Sequence, residues 1–86
     1  MTAHEIRKHV EDSILSVRKD VRRSSLKDET TFNEDLGFDS MSLVALASEM
    51  EKRFGRSLPL AQWLESRRNQ VLSLSSLIHF LDDELK

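Results

Sequence analysis

Apolar residues along this 86-residue chain recur at helical rather than strand spacing. Ile6, Val10, Ile14, Val17 and Val21 follow at steps of three or four, which places them on one helical stripe. Thr2 and Glu5 precede the stripe at the spacing of a capping box, so the pattern predicts a first helix over 3–21. A second stripe, Leu43, Leu46, Ala47, Met50 and Phe54, predicts a helix from Ser40 to Phe54. Gly55 follows where a left-handed residue commonly ends a helix, since it has no Cβ to clash. Pro59 suits the first turn of a short third helix with Leu60, Trp63 and Leu64 on its apolar edge. Ser73 caps a fourth, whose stripe is Leu74, Leu77, Ile78, Leu81 and Leu85.

Residues 22–39 break the periodicity, and a connection that long without structure of its own is usually functional or disordered. Leu26, Phe32 and Leu36 are spaced through it as apolar pegs, so it is expected to lie packed across the bundle. The fold class is therefore all-α: a four-helix bundle with a long first loop and a short third helix, one domain over 1–86.

Composition narrows the function. Apolar residues make up 38% and charged residues 33%, with two glycines and one proline, a balance that suits a helical bundle rather than disorder or a β-sandwich. The absence of cysteine excludes disulfides, thiolate metal sites and a Cys nucleophile, so any thiol chemistry must be borrowed. A formal net charge of −2 argues against generic nucleic-acid binding, which relies on many phosphate contacts. Arg18, Lys19, Arg22 and Arg23, and likewise Arg67 and Arg68, are expected to complement the negative ends of helices. No apolar run approaches the roughly 20 residues of a membrane span, and the start Met-Thr-Ala-His-Glu has no basic region before an apolar stretch, which makes a cytoplasmic protein the expectation.

The chemistry concentrates in Glu34-Asp35-Leu36-Gly37-Phe38-Asp39-Ser40-Met41. Gly37 permits a backbone with positive φ, Asp39 is placed to cap the second helix, and Ser40 is delivered to its start. A phosphodiester on a serine there would meet unpaired backbone amides and the positive end of a helix dipole. An Asp-Ser pair alone is more often just a polar helix start.

The joint pattern resembles the acyl carrier protein family along nearly the whole chain. That family opens the second of four helices with Leu-Gly-x-Asp-Ser-Leu, and Leu36-Gly37-Phe38-Asp39-Ser40 fits, with Met41 replacing the usual leucine. Thr30-Thr31-Phe32 before Glu34-Asp35-Leu36, Glu49 and Glu51 late in the second helix, and Phe54-Gly55 at its close also agree. The resemblance implies a bundle of acyl-carrier type in which Ser40 takes 4'-phosphopantetheine from coenzyme A, with Gly37 and Asp39 completing the site. It implies that Asp39 helps hold magnesium and coenzyme A in the modifying phosphopantetheinyl transferase. The carrier itself would catalyse nothing and bind no metal. It would tether acyl groups as thioesters and present them to an acyl-loading ligase or acyltransferase and to a ketosynthase or other pathway enzymes, as a monomer.

Housekeeping fatty-acid carriers typically line this face with carboxylates, whereas here Met41, Val44, Ala45 and Ser48 follow Ser40, with Lys52 and Arg53 further on. Met41, Val44 and Ala45 are expected to form a docking patch, with Ser48 beside it and Glu49 adding charge steering. Peptidyl carriers usually have a second glycine and often a histidine before their serine, so Phe38-Asp39 looks closer to polyketide-type carriers. The reading is a discrete acyl carrier of polyketide or related specialised biosynthesis. The alternatives are a free-standing peptidyl or aminoacyl carrier and an unmodified adaptor using Trp63 and Met41. An enzyme is disfavoured: His4 and His9 lack the one-turn spacing of a helical zinc pair, His79 is remote in sequence, and Ser40 has no evident general base. The short third segment, between Gly55, Pro59 and Asn69, is the expected gate if a long cargo folds back into the bundle.

Overall fold

A computed structural model describes residues 2–66 and 72–85. Among them are four α-helices, α1 (Ala3–Val17), α2 (Ser40–Phe54), α3 (Leu60–Ser66) and α4 (Leu74–Glu84), and a 3-10 turn at Arg23–Ser25. Arg67, Arg68 and Asn69 lie outside the described residues.

Helix α1 starts at the expected capping box: the Thr2 hydroxyl accepts from the Glu5 amide at 3.2 Å. It packs against both α2 and α4, with Ile6, Val10 and Ile14 fully buried between them. It ends four residues earlier than the periodicity predicted, at Val17, and Arg18 is extended. Val21 still packs against the core, but it arrives through a turn in which its amide donates to the Arg18 carbonyl at 3.2 Å. The hydrophobic step persisted while the helix did not. The basic cluster consequently falls outside the helix, whose last turn holds no cation. Arg23 instead folds back to pair with Glu11 at 2.8 Å and with Asp12, while Arg7 joins Glu11 at 3.1 Å and reaches Asp28 in the loop.

The long loop is anchored as expected, since Leu26, Phe32 and Leu36 are all buried. Its backbone is satisfied piece by piece, which a buried crossing requires. The Phe32 amide donates to the Leu72 carbonyl at 2.8 Å and the Leu74 amide to Thr30 at 2.8 Å, forming an isolated antiparallel bridge between Thr31 and Ser73. Thr31 and Asp35 cap one another, the Thr31 amide donating to Asp35 Oδ2 at 2.9 Å and the Asp35 amide to Thr31 Oγ1 at 3.0 Å.

Helix α2 has the predicted bounds and ends at Gly55, which sits at φ +70. Glu51 near that end accepts the Leu58 amide at 2.8 Å and so holds the α2–α3 connection. Pro59 precedes α3 rather than opening it, and its carbonyl accepts the first helical bond, from Trp63, at 3.1 Å. Leu60 and Trp63 point α3 into the core. Ser73 caps α4 reciprocally with Ser76, and Leu74, Leu77 and Leu81 are buried. No helix among the described residues is long and apolar enough to cross a membrane.

Candidate functional site

The loop enters α2 through one left-handed residue. Gly37 is at φ +65, a region that side chains resist, and it turns the chain after the buried peg Leu36. Phe38 then returns to the core. Its amide donates to the Phe32 carbonyl at 2.7 Å, and the two rings meet edge to face at 5.7 Å. With Phe38 fixed inward, the next two residues, Asp39 and Ser40, are both exposed.

Asp39 is the N-cap of α2, its Oδ1 accepting the Ser42 amide at 2.8 Å and its carbonyl accepting Leu43 at 2.9 Å. Those Ser42 hydrogen bonds, with a smaller contribution from the Arg18 cation, hold the Asp39 carboxyl below the usual carboxylate range. Ser40 is the first helical residue. The amides of Ser40 and Met41 find no partner among the described residues, and the first turn of α2 contains no carboxylate. An exposed hydroxyl beside two open amides at the positive end of a fifteen-residue helix fits a phosphodiester.

Beyond Ser40 the surface is apolar. Met41 is 82% exposed and Val44 68%, and with Ser40 they line a shallow depression. Ala45 and Ser48 continue the exposed face. Glu49, the expected steering charge, is half-buried and lies 3.9 Å from Arg53, one turn on. The face closes with exposed Lys52, Arg53 and Arg56.

Two residues of this region carry more than the sequence pattern gave them. Phe38, read there as the variable position of the motif and as a mark of carrier type, is core. Arg18, read as a helix-end cation, donates from Nη1 to the Gly37 carbonyl at 3.0 Å and lies over the Phe38 ring at 5.8 Å. A partner nineteen positions away leaves no trace in a local pattern.

Beneath α3 lies a small apolar cavity of about 10 Å³ bordered by Leu46, Met50, Leu60 and Trp63. That is room for about one water between largely apolar walls.

This arrangement has counterparts among known sequences. Residues 12–78 match the family described as the phosphopantetheine attachment site, and the match contains the whole Ser40 turn. An acyl carrier protein of Chloroherpeton thalassium is 37% identical over 59 residues, spanning 69% of this chain and 72% of that protein. One from Chlorobium luteolum is 41% identical over 59 residues, spanning 69% and 74%. The acyl carrier protein of Porphyromonas gingivalis is 28% identical over 82 residues, 95% of this chain and 97% of that one. The chain belongs to the acyl carrier protein family. It is thus a carrier rather than a catalyst, and its cofactor is phosphopantetheine.

Proposed function

We propose that Ser40 bears the 4'-phosphopantetheine arm and that residues 1–86 act as one discrete, monomeric carrier domain of the cytoplasm, serving polyketide or related specialised biosynthesis. The observation that carries the attachment site is the exposed Ser40 hydroxyl at the first position of α2, beside amides without partners among the described residues. In the loading step the Ser40 Oγ–P bond forms as a P–O bond of the coenzyme A pyrophosphate breaks. Adenosine bisphosphate leaves, and the hydroxyl proton passes to the transferase. When bound, the arm supplies the thiol that this cysteine-free chain lacks.

Gly37 and Phe38 present Ser40, and Asp39 both caps α2 and offers its ionised carboxylate to the transferase's magnesium. Met41, Val44, Ala45 and Ser48 serve as the docking face for the transferase, the acyl-loading ligase or acyltransferase, and the ketosynthase. Glu49, paired to Arg53, orders the far end of that face. Lys52 and Arg53 lie about 18 Å along the helix from Ser40. The polyketide-type assignment rests on this apolar, carboxylate-poor surface and on Phe38 standing where peptidyl carriers usually have a second glycine or histidine.

Incubation with coenzyme A, magnesium and a broad phosphopantetheinyl transferase tests the attachment. Intact mass should rise by one phosphopantetheinyl unit in the wild type and stay unchanged in Ser40→Ala. An unmodified wild type across several transferases would leave a helical adaptor, and a modified Ser40→Ala would move the site. Loading of the holo-protein by a malonyl-type acyltransferase rather than by an aminoacyl ligase separates the polyketide reading from the peptidyl one.

A further inference from the structure

We propose that Arg18 is a positioning residue for the attachment reaction: its guanidinium fixes the Gly37–Phe38 turn and thereby the place from which Ser40 is presented. This rests on the reading of Ser40 as the modified residue. The turn needs such a brace because glycine restricts its own backbone least. Arg18 supplies it with both parts of its side chain. One nitrogen of the guanidinium donates to the Gly37 carbonyl at 3.0 Å, a charge-assisted bond, and its central carbon lies over the Phe38 ring, 5.8 Å from the ring centre. A Cβ built on Gly37 would stand 3.6 Å from Nη1, so the two groups are already in contact range.

The early end of α1 gives this contact its structural cause. Arg18 is the C-cap, in an extended conformation at φ −121, and its own amide still closes the helix onto the Ile14 carbonyl at 2.8 Å. Its side chain leaves the helix axis and reaches the turn instead of continuing the helical surface. Asp20 holds the guanidinium from the other side, 3.4 Å from Nε. The end of α1 and the beginning of α2 are therefore joined through one half-buried cation, whose contact at Gly37 falls two residues before the α2 cap and three before Ser40.

A brace on the presenting turn acts before chemistry, by raising the fraction of carrier already in the form the transferase accepts. Its loss raises KM for the apo-carrier and leaves kcat nearly alone, as expected when only a fraction of the protein is binding-competent. Arg18→Ala should raise that KM about five- to tenfold, the order of one partly exposed charge-assisted hydrogen bond, with kcat within about twofold. Arg18→Gln, which keeps a neutral donor for the Gly37 carbonyl, should recover part of the loss. Arg18→Lys, which keeps charge and donor but not the flat face, should recover part as well.

Amide hydrogen exchange supplies a readout that general destabilisation would not reproduce. In Arg18→Ala the Ser42 and Leu43 amides, bonded to Asp39, should exchange faster by a similar factor while Leu77 and Leu81 in α4 are unchanged. Unchanged KM with unchanged exchange at Ser42 overturns the proposal, and so does a uniform rise in exchange across α2 and α4. If the wild type takes no phosphopantetheine, the attachment reading fails separately, and the exchange comparison still decides whether Arg18 holds the turn.

Discussion

Two helices of this bundle begin with the same kind of local signal and put it to opposite uses. Asp39 caps α2 and Ser73 caps α4, each accepting from the third amide of its helix. At α4 every first-turn amide is consumed by the fold. Leu74 donates to Thr30 at 2.8 Å, Ser75 to Asp28 at 3.0 Å, Ser76 to Ser73 Oγ at 3.2 Å and Leu77 to the Ser73 carbonyl at 3.2 Å. At α2 only Ser42 and Leu43 are served, and Ser40 and Met41 face outward without partners among the described residues. A helix start becomes a structural joint when a loop crosses it and an attachment point when the loop passes it by. The same loop, 22–39, does both: it lies across the beginning of α4 and then turns at Gly37 to leave the beginning of α2 bare.

The largest perturbation of that contrast is removal of the peg that holds the loop. Phe32 is fully buried, its amide is tied to Leu72, and its ring meets Phe38. Phe32→Ala should cost about 3–5 kcal/mol in urea unfolding, a large share of the stability of an ordinary small domain. It should release both helix starts together. A cost under about 1.5 kcal/mol would show that the hydrogen bonds to α4, rather than the peg, place the loop.

Exchanging the two serines in thought gives the next prediction. Ser73→Ala removes a reciprocal cap and should cost about 0.5–2 kcal/mol, with phosphopantetheine uptake intact. Ser40→Ala removes an exposed hydroxyl with no hydrogen-bond partner among the described residues and should stay within about 0.5 kcal/mol of wild type, with uptake abolished. Denaturation midpoints and intact masses of the two variants check both halves. Uptake lost in Ser73→Ala, or stability lost in Ser40→Ala, would mean that the two starts are not separate.

The sequence carried most of this contrast because its signals are local. The stripe from Leu43 to Phe54, the glycine at each end of the α2 region and the polar residue before each helix all sit within a few positions of what they determine. Helix α2 has the bounds so predicted, and Gly37 and Gly55 both adopt positive φ. The loop pegs were legible too, since apolar residues inside a polar stretch have few places to go. What failed to show was non-local. Val21 continues the apolar step of α1 by way of a turn, so periodicity overran the helix by four residues. Arg18 and Gly37 meet through space across nineteen positions. Whether the loop would cross α4 or α2 likewise depended on pairings such as Thr31 with Ser73 that no spacing encodes.

The smallest expected effect separates the caps by their chemistry. Asp39 is ionisable and Ser73 is not, so only the α2 cap should depend on pH. The Asp39 carboxyl is held below its ordinary range by the Ser42 hydrogen bonds, and a depressed folded-state pKa stabilises the protein above the unfolded value. That contribution is lost as pH falls through the lowered pKa. Asp39→Asn keeps an oxygen to accept the Ser42 amide and removes the titration. Urea midpoints of wild type and Asp39→Asn should therefore differ slightly in favour of wild type at neutral pH and converge in acid. Asp12 and Asp20, whose carboxyls are also lowered by Arg23 and Arg18, titrate in both proteins and cancel from the difference. The gap between wild type and Ser73→Ala should stay constant over the same range. A difference for Asp39→Asn that also stays constant would show that the α2 cap works through its oxygen alone, and that the charge beside Ser40 serves only the partner that binds there.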